Sequence, residues 1–141
     1  MKFGPHGGGH GHYDKLGLIT YARGGLQGVD PGTQPYGAPT HATWDKETVA
    51  HNTVVVDEKS QKEATGRLRW YAFSGEYAAA AADAGPAYPQ ASLDRTLFVT
   101  ADYALEVTAA KSLDGQPHRF DWVYHNGGET QTPLARQAYQ G

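Results

Sequence analysis

The chain has no cysteine and a single methionine in 141 residues. Disulfides and thiolate metal sites are therefore excluded, although a lack of cysteine does not fix the compartment. Basic residues are not in excess. Twelve Lys and Arg face fifteen Asp and Glu, for a formal charge of −3, so there is no cationic footprint and nucleic acid is not expected as a partner. No apolar run reaches the roughly 18 residues needed to cross a bilayer, and no membrane association is expected. Met1-Lys2-Phe3 leads into glycine and histidine rather than a hydrophobic signal core, so this stretch encodes no export signal.

The chain does have turn formers, with 18 glycines and 8 prolines. The length suits one domain, and the balance favours short strands joined by many turns. Leu16 to Ala22 reads as a strand, Arg23-Gly24-Gly25 as a turn and Leu26 to Val29 as the return strand of a hairpin. Residues 30 to 46 read as a long irregular loop carrying Tyr36, His41 and Trp44, and loops of this length are often functional. Thr48 to Asp57 contains the β-branched run of a buried strand, with His51-Asn52 at its entrance. Arg67 to Ser74 fits a strand with one partly exposed face. Tyr77 to Ala84 reads as a further strand despite its alanines. Leu93 to Thr100 and Tyr103 to Lys111 form another hairpin, and Phe120 to His125 alternates with period two. The expected fold is all-β, an antiparallel two-sheet β-sandwich with little helix, over residues 1–130, followed by a polar tail at 131–141.

Chemistry concentrates at the start. Gly4-Pro5-His6-Gly7-Gly8-Gly9-His10-Gly11-His12 places three histidines within seven positions, separated almost wholly by glycine. His10 and His12 are spaced i, i+2, which puts both rings on one face of an extended segment. An affinity tag would show a homopolymeric run, whereas these histidines lead straight into a strand pattern. Asp30 at the open end of the hairpin and His51 at the next strand are the other metal-ligand candidates. Two histidines and a carboxylate suit zinc, while Asp30 before Pro31-Gly32 could equally start a turn and His51 could cap a strand. A hairpin centred near Gly24 sets Asp30 opposite Leu18, so the glycine loop must fold back to reach it. Tyr36, in the irregular loop, is a candidate proton carrier. The spacing Gly4-x5-His10-x-His12 also opens the cupin metal signature, but Leu16 and Gly17 stand where that pattern needs a glutamate. His41, His118 and His125 have no matching spacing.

His10-Gly11-His12-Tyr13-Asp14-Lys15-Leu16, Val29-Asp30-Pro31-Gly32-Thr33, Tyr36-Gly37, Thr48-Val49-Ala50-His51-Asn52-Thr53-Val54-Val55-Val56-Asp57 and Phe120-Asp121-Trp122-Val123-Tyr124-His125-Asn126 occur in the order seen in one family. Over residues 3 to 128 the chain resembles the C-terminal β-sandwich region of heparinase II/III-like polysaccharide lyases, closest to the alginate and oligoalginate branches, with heparin and heparan sulfate lyases next. The resemblance implies zinc held by His12, Asp30 and His51, a catalytic tyrosine at Tyr36 and an auxiliary histidine at His10. It implies β-elimination beside a uronic acid, on an acidic polysaccharide or oligosaccharide.

These lyases also carry an N-terminal α-helical toroid, which this chain lacks. The expectation is thus a fragment of a longer, periplasmic or secreted bacterial lyase, weakly active or inactive by itself. Homo-oligomerisation is left open. The alternatives are a zinc-stabilised carbohydrate-binding sandwich that does not cleave, and a cupin-like metalloenzyme.

Overall fold

The computed structural model describes residues 1–138, so the last three residues of the polar tail expected at 131–141 lie outside the described residues. Among the described residues eight strands follow one another: β1 (Tyr21–Ala22), β2 (Gly25–Leu26), β3 (Val54–Val56), β4 (Arg67–Phe73), β5 (Tyr77–Asp83), β6 (Ala91–Thr100), β7 (Ala104–Ser112) and β8 (Phe120–Trp122). All pairings are antiparallel. β4 to β7 form a four-stranded meander in sequence order, β3 pairs with β8, and β1 with β2. The expected all-β architecture is the one adopted.

The two larger sheets meet over one end of the meander. Val54 and Val56 of β3 share a buried cluster with Ala82 at the end of β5, Ala91 and Leu93 of β6, and Leu16 from the N-terminal segment. Small alanines on β5 let the layers approach. Along β6, Ala91, Leu93 and Arg95 are buried on alternate positions, as a strand with one inward face requires.

Arg95 carries a charge into this interior, at 1% exposure. Its Nη1 donates to the carbonyls of Leu16 and Asn52, the latter at 2.7 Å, its Nε to Thr108 Oγ1, and its Nη2 pairs with Glu106 at 3.0 Å. It thereby ties β6 and β7 to both segments that carry the candidate ligands. Leu16 needs that support because its φ of 63° lies in the left-handed region, which costs a bulky residue about 1–2 kcal/mol.

Local outcomes differ from the expectations in three places. The first hairpin is shorter. Its ladder pairs Tyr21 with Leu26 across Arg23-Gly24, both with positive φ, as a two-residue turn matched to strand twist demands. Next to it Thr20 accepts from Gln27 N–H and donates from its own N–H to Gly28, so two residues oppose one. The loop over 30 to 46 contains one helical turn, His41–Asp45. The buried strand starts after His51-Asn52, as expected, with Thr48–Ala50 ahead of it as a short 3-10 turn in which Thr48 Oγ1 donates to Tyr13 O at 2.6 Å. Finally, every residue of β4 is exposed, Trp70, Tyr71 and Phe73 included, so neither face of that edge strand is covered in this chain.

Candidate metal centre and proton-transfer pair

The opening segment folds back as the glycines allow. Residues Gly8–His10 make a single 3-10 turn, after which Gly11 packs so tightly that a Cβ there would lie 2.0 Å from the His6 carbonyl. No other residue fits between His10 and His12. Tyr13 N–H donates to Lys46 O at 3.0 Å, and Lys15 is held from both sides by Gln61. The second segment, His51-Asn52-Thr53, is wired almost entirely through polar groups. Asn52 Nδ2 donates to Leu18 O at 2.9 Å and Val29 O at 2.8 Å, its Oδ1 accepts from His125 N–H, and Thr53 Oγ1 donates to Lys15 O.

These bonds bring His12 and His51 together, with ring centroids 5.3 Å apart. One donor atom each from His12, Asp14 and His51, all three buried, lies within 4.8 Å of the others. Asp30 is adjacent rather than inside that group: its Oδ2 accepts from His51 Nδ1 at 2.9 Å. Lys2 Nζ stands 2.5 Å from Asp14 Oδ2 and 3.6 Å from Asp30 Oδ2. His12 Nδ1 and His51 Nε2 are buried with no hydrogen-bond partner. Orphaned imidazole nitrogens cost desolvation free energy, and on two neighbouring rings beside Asp14 and Asp30 they are donors of the kind that zinc accepts.

The electrostatics agree with that use. Burial pushes the Asp30 carboxyl up, but the His51 and Gly32 hydrogen bonds and the charges of His51 and Lys2 outweigh it, holding the group at about 2. Burial, then the charge of His51, lowers His12, which keeps it in the neutral form that ligates metal. Burial also opposes the charge on Lys2, yet its bond to Asp14 leaves it raised overall.

Beside the centre is an open cavity of about 590 Å³ with Lys2, His10, His12, Asp14, Lys15 and Asp30 among its walls. His10 Nδ1 forms a short hydrogen bond to the Tyr36 hydroxyl, while the Tyr36 ring is 61% exposed. The arrangement therefore offers a phenol–imidazole pair able to pass a proton, next to a buried two-histidine, two-carboxylate cluster and two lysines. Of the residues singled out in the sequence, His10 and Tyr36 meet, as do His12 and His51, with Asp30 hydrogen-bonded to the latter. Asp14 was legible from its i, i+2 spacing to His12 and was passed over, as was His41, which lies edge-on to Tyr36 at 4.7 Å.

Comparison with known proteins agrees with the resemblance. The profile of the family described as Heparinase II/III-like, C-terminal, matches residues 1–138. An alginate lyase of Stenotrophomonas maltophilia is 31% identical over an alignment covering 62% of this chain and 14% of that protein. An exo-oligoalginate lyase of Saccharophagus degradans is 42% identical over 37% of this chain and 8% of its own length. Among solved structures, a heparinase III gene product superimposes with a TM-score of 0.70 at 21% identity, covering 79% of this chain and 18% of that one. A heparan sulfate lyase from Pedobacter heparinus gives 0.70 at 20% identity, with the same coverage. The chain thus spans under a fifth of the length of each of these relatives.

Proposed function

The chain belongs to the heparinase II/III-like C-terminal family, and from that premise we propose that it is the sandwich part of a polysaccharide lyase cleaving uronic-acid-containing glycans by β-elimination. Alginate-type polymers come first and heparin or heparan-type polymers second, in line with the names its relatives carry. The observation that carries the reading is the hydrogen bond between Tyr36 and His10 at the rim of a cavity walled by Lys2 and Lys15.

β-Elimination needs a base for the weakly acidic C5 proton, an acid for the O4 leaving group, and something to offset charge on the uronate carboxylate as the enolate-like state develops. Tyr36 and His10 are the proton carriers in this chain, since a phenol bonded to an imidazole can give up and regain its proton without bulk water. Lys2 and Lys15 bring positive charge to the cavity wall. The rest of the cleft, including a second tyrosine and further groups on the carboxylate, would come from an α-toroid outside this sequence. A polymeric substrate fits an exported, periplasmic or secreted protein.

His12, Asp30 and His51 are our assignment for zinc. Asp30 is the carboxylate that the family resemblance assigns, with its Oδ2 already on His51 Nδ1. Asp14, whose Oδ2 pairs with Lys2, stands in the tighter group with His12 and His51 and is the alternative ligand. When bound, zinc would supply fixed positive charge and hold the two segments together, with no water to activate because elimination consumes none.

The test is incubation of the full-length parent with alginate and, separately, heparan sulfate, following the ultraviolet absorbance of the 4,5-unsaturated uronate product. Absorbance should rise on at least one polymer and be lost in Tyr36→Phe. A silent parent that still binds the polymer would replace this reading with a zinc-stabilised carbohydrate-binding module.

A further inference from the structure

His41 has no role in anything described so far, yet its environment is unusual. It is 5% exposed, and neither Nδ1 nor Nε2 has a hydrogen-bond partner. Two orphaned nitrogens on one buried ring cost more than a structural filler would, and such a group calls for a reason. A leucine or phenylalanine could fill the same space without that cost.

Its neighbours suggest the reason. His41 opens the helical turn His41–Asp45, and Asp45, fully buried, lies one turn on with Oδ2 3.7 Å from His41 Nδ1. That distance is too long for a hydrogen bond but close enough for the carboxylate to favour the tautomer with its proton on Nδ1. Asp45 is itself fixed, accepting from Gln34 N–H at 3.0 Å and from Gln34 Nε2. On the other side the His41 ring meets the Tyr36 ring at 4.7 Å and 76°. Tyr36 is otherwise largely exposed, and its hydroxyl bonds His10. Among the described residues its ring meets two others, His10 at 5.9 Å and, closer, His41.

We propose that His41 is the positioning residue for Tyr36: oriented by Asp45, its buried imidazole fixes the phenol ring against His10 and presents a desolvated dipole to it. This rests on the lyase reading only for its consequence in turnover, because the effect on Tyr36 itself exists without substrate.

The experiment is carbon NMR of this chain labelled at the tyrosine Cζ, with the Tyr36 resonance assigned from Tyr36→Phe. In His41→Phe, which keeps an aromatic ring but removes both nitrogens, the Tyr36 Cζ resonance should shift measurably at one fixed pH while the other tyrosines stay in place. His41→Gln, which restores polar atoms, should recover part of the shift. An unmoved Tyr36 resonance in folded His41→Phe would overturn the proposal. If that variant does not fold, a variant at the other ring answers the question. The His41 ring nitrogen resonances should move in Tyr36→Leu, and unmoved resonances would overturn it equally. In the full-length parent, His41→Phe should lower kcat about tenfold with KM nearly unchanged, as expected when an interaction made in the transition state is weakened. A parent without lyase activity would remove that readout and leave the NMR result standing.

Discussion

Asp30 holds His51 by one hydrogen bond, Oδ2 to Nδ1 at 2.9 Å, while His51 Nε2 stays buried and unpartnered. A carboxylate in that position either ligates the ion or fixes the ring that does. Either way Asp30→Asn should weaken zinc binding by at least about 10- to 100-fold, read by competition with a chromophoric chelator. With Asp30 as the ligand, Asp14→Asn should have a much smaller effect, since it removes only the partner of Lys2. If the Asp14 variant loses more zinc than the Asp30 variant, the carboxylate assignment is reversed and the cluster His12, Asp14, His51 is the ligand set.

Arg95 is expected to be among the least replaceable residues. Arg95→Met would strip the Leu16 and Asn52 carbonyls of a buried donor and leave Glu106 with neutral donors, Thr108 Oγ1 and Trp122 Nε1, in place of a charged one. Breaking a buried pair in this way costs about 3–5 kcal/mol, to be read as a lower urea midpoint at unchanged slope. Arg95→Lys should recover little of it, since one ammonium cannot reach two carbonyls and a carboxylate in a fixed fork. A loss under about 1 kcal/mol would mean the left-handed Leu16 backbone is held by something else.

The pattern of these dependencies explains what was legible in the sequence. Period-two alternation gave β8, and turn chemistry at Thr100-Ala101-Asp102 gave the β6–β7 hairpin, because each is a local signal. β4 was legible as a strand but not as an exposed one, since alternation does not say whether another layer exists to cover it. The 3-10 turn at Thr48–Ala50 was not legible, since the Thr48 hydroxyl bonds Tyr13 O, 35 residues away in sequence. His10, His12 and His51 were legible from residue type and glycine context. Arg95 was not, because nothing in a strand's sequence marks an arginine that points inward to bond carbonyls of distant loops. His41 paired with Asp45 at i, i+4 was readable in principle, but only the folded loop places it on Tyr36.

A pH-dependent clamp should operate far from the metal centre. His118 Nδ1 bonds Asp57 Oδ2 at 2.7 Å and Nε2 bonds Asp114 Oδ1 at 2.9 Å, tying the loop after β7 to the turn after β3. The Asp114 and then Asp57 bonds raise His118, so its contribution is complete below the ordinary histidine value of about 6.5 and is lost as pH rises through the raised folded value. Asp114 is held at about 2, first by the Gln116 N–H and then by His118. Its contribution is present above the ordinary aspartate value of about 3.9 and lost as pH falls towards the folded one. The clamp is therefore strongest between about pH 4 and 6.5. His118→Ala should lower the melting temperature more at pH 5.5 than at pH 8.5, both within the order of a few degrees. An equal loss at both would show that His118 acts by packing alone.

Asn52 ties the hairpin to the candidate metal centre. Its Nδ2 donates to Val29 O, the carbonyl immediately before Asp30, while its neighbour His51 receives the Asp30 carboxylate. The same amide holds Leu18 O, and its Oδ1 takes His125 N–H at 2.5 Å, so one side chain fixes three segments relative to His51. Asn52→Asp preserves shape but removes both donors, leaving two carbonyls unpartnered and a carboxylate facing them. The expected cost is about 2–4 kcal/mol of stability. Zinc affinity should fall together with stability although no ligand is altered, and added zinc should raise the melting temperature of the variant less than that of the wild type. Asn52→Leu would separate the effects: it also loses the bonds but adds no charge, so a comparable fall in zinc affinity would place the cause in the displaced Val29-Asp30 backbone. Full zinc affinity in Asn52→Leu would mean instead that Asp30 reaches His51 without the amide's help.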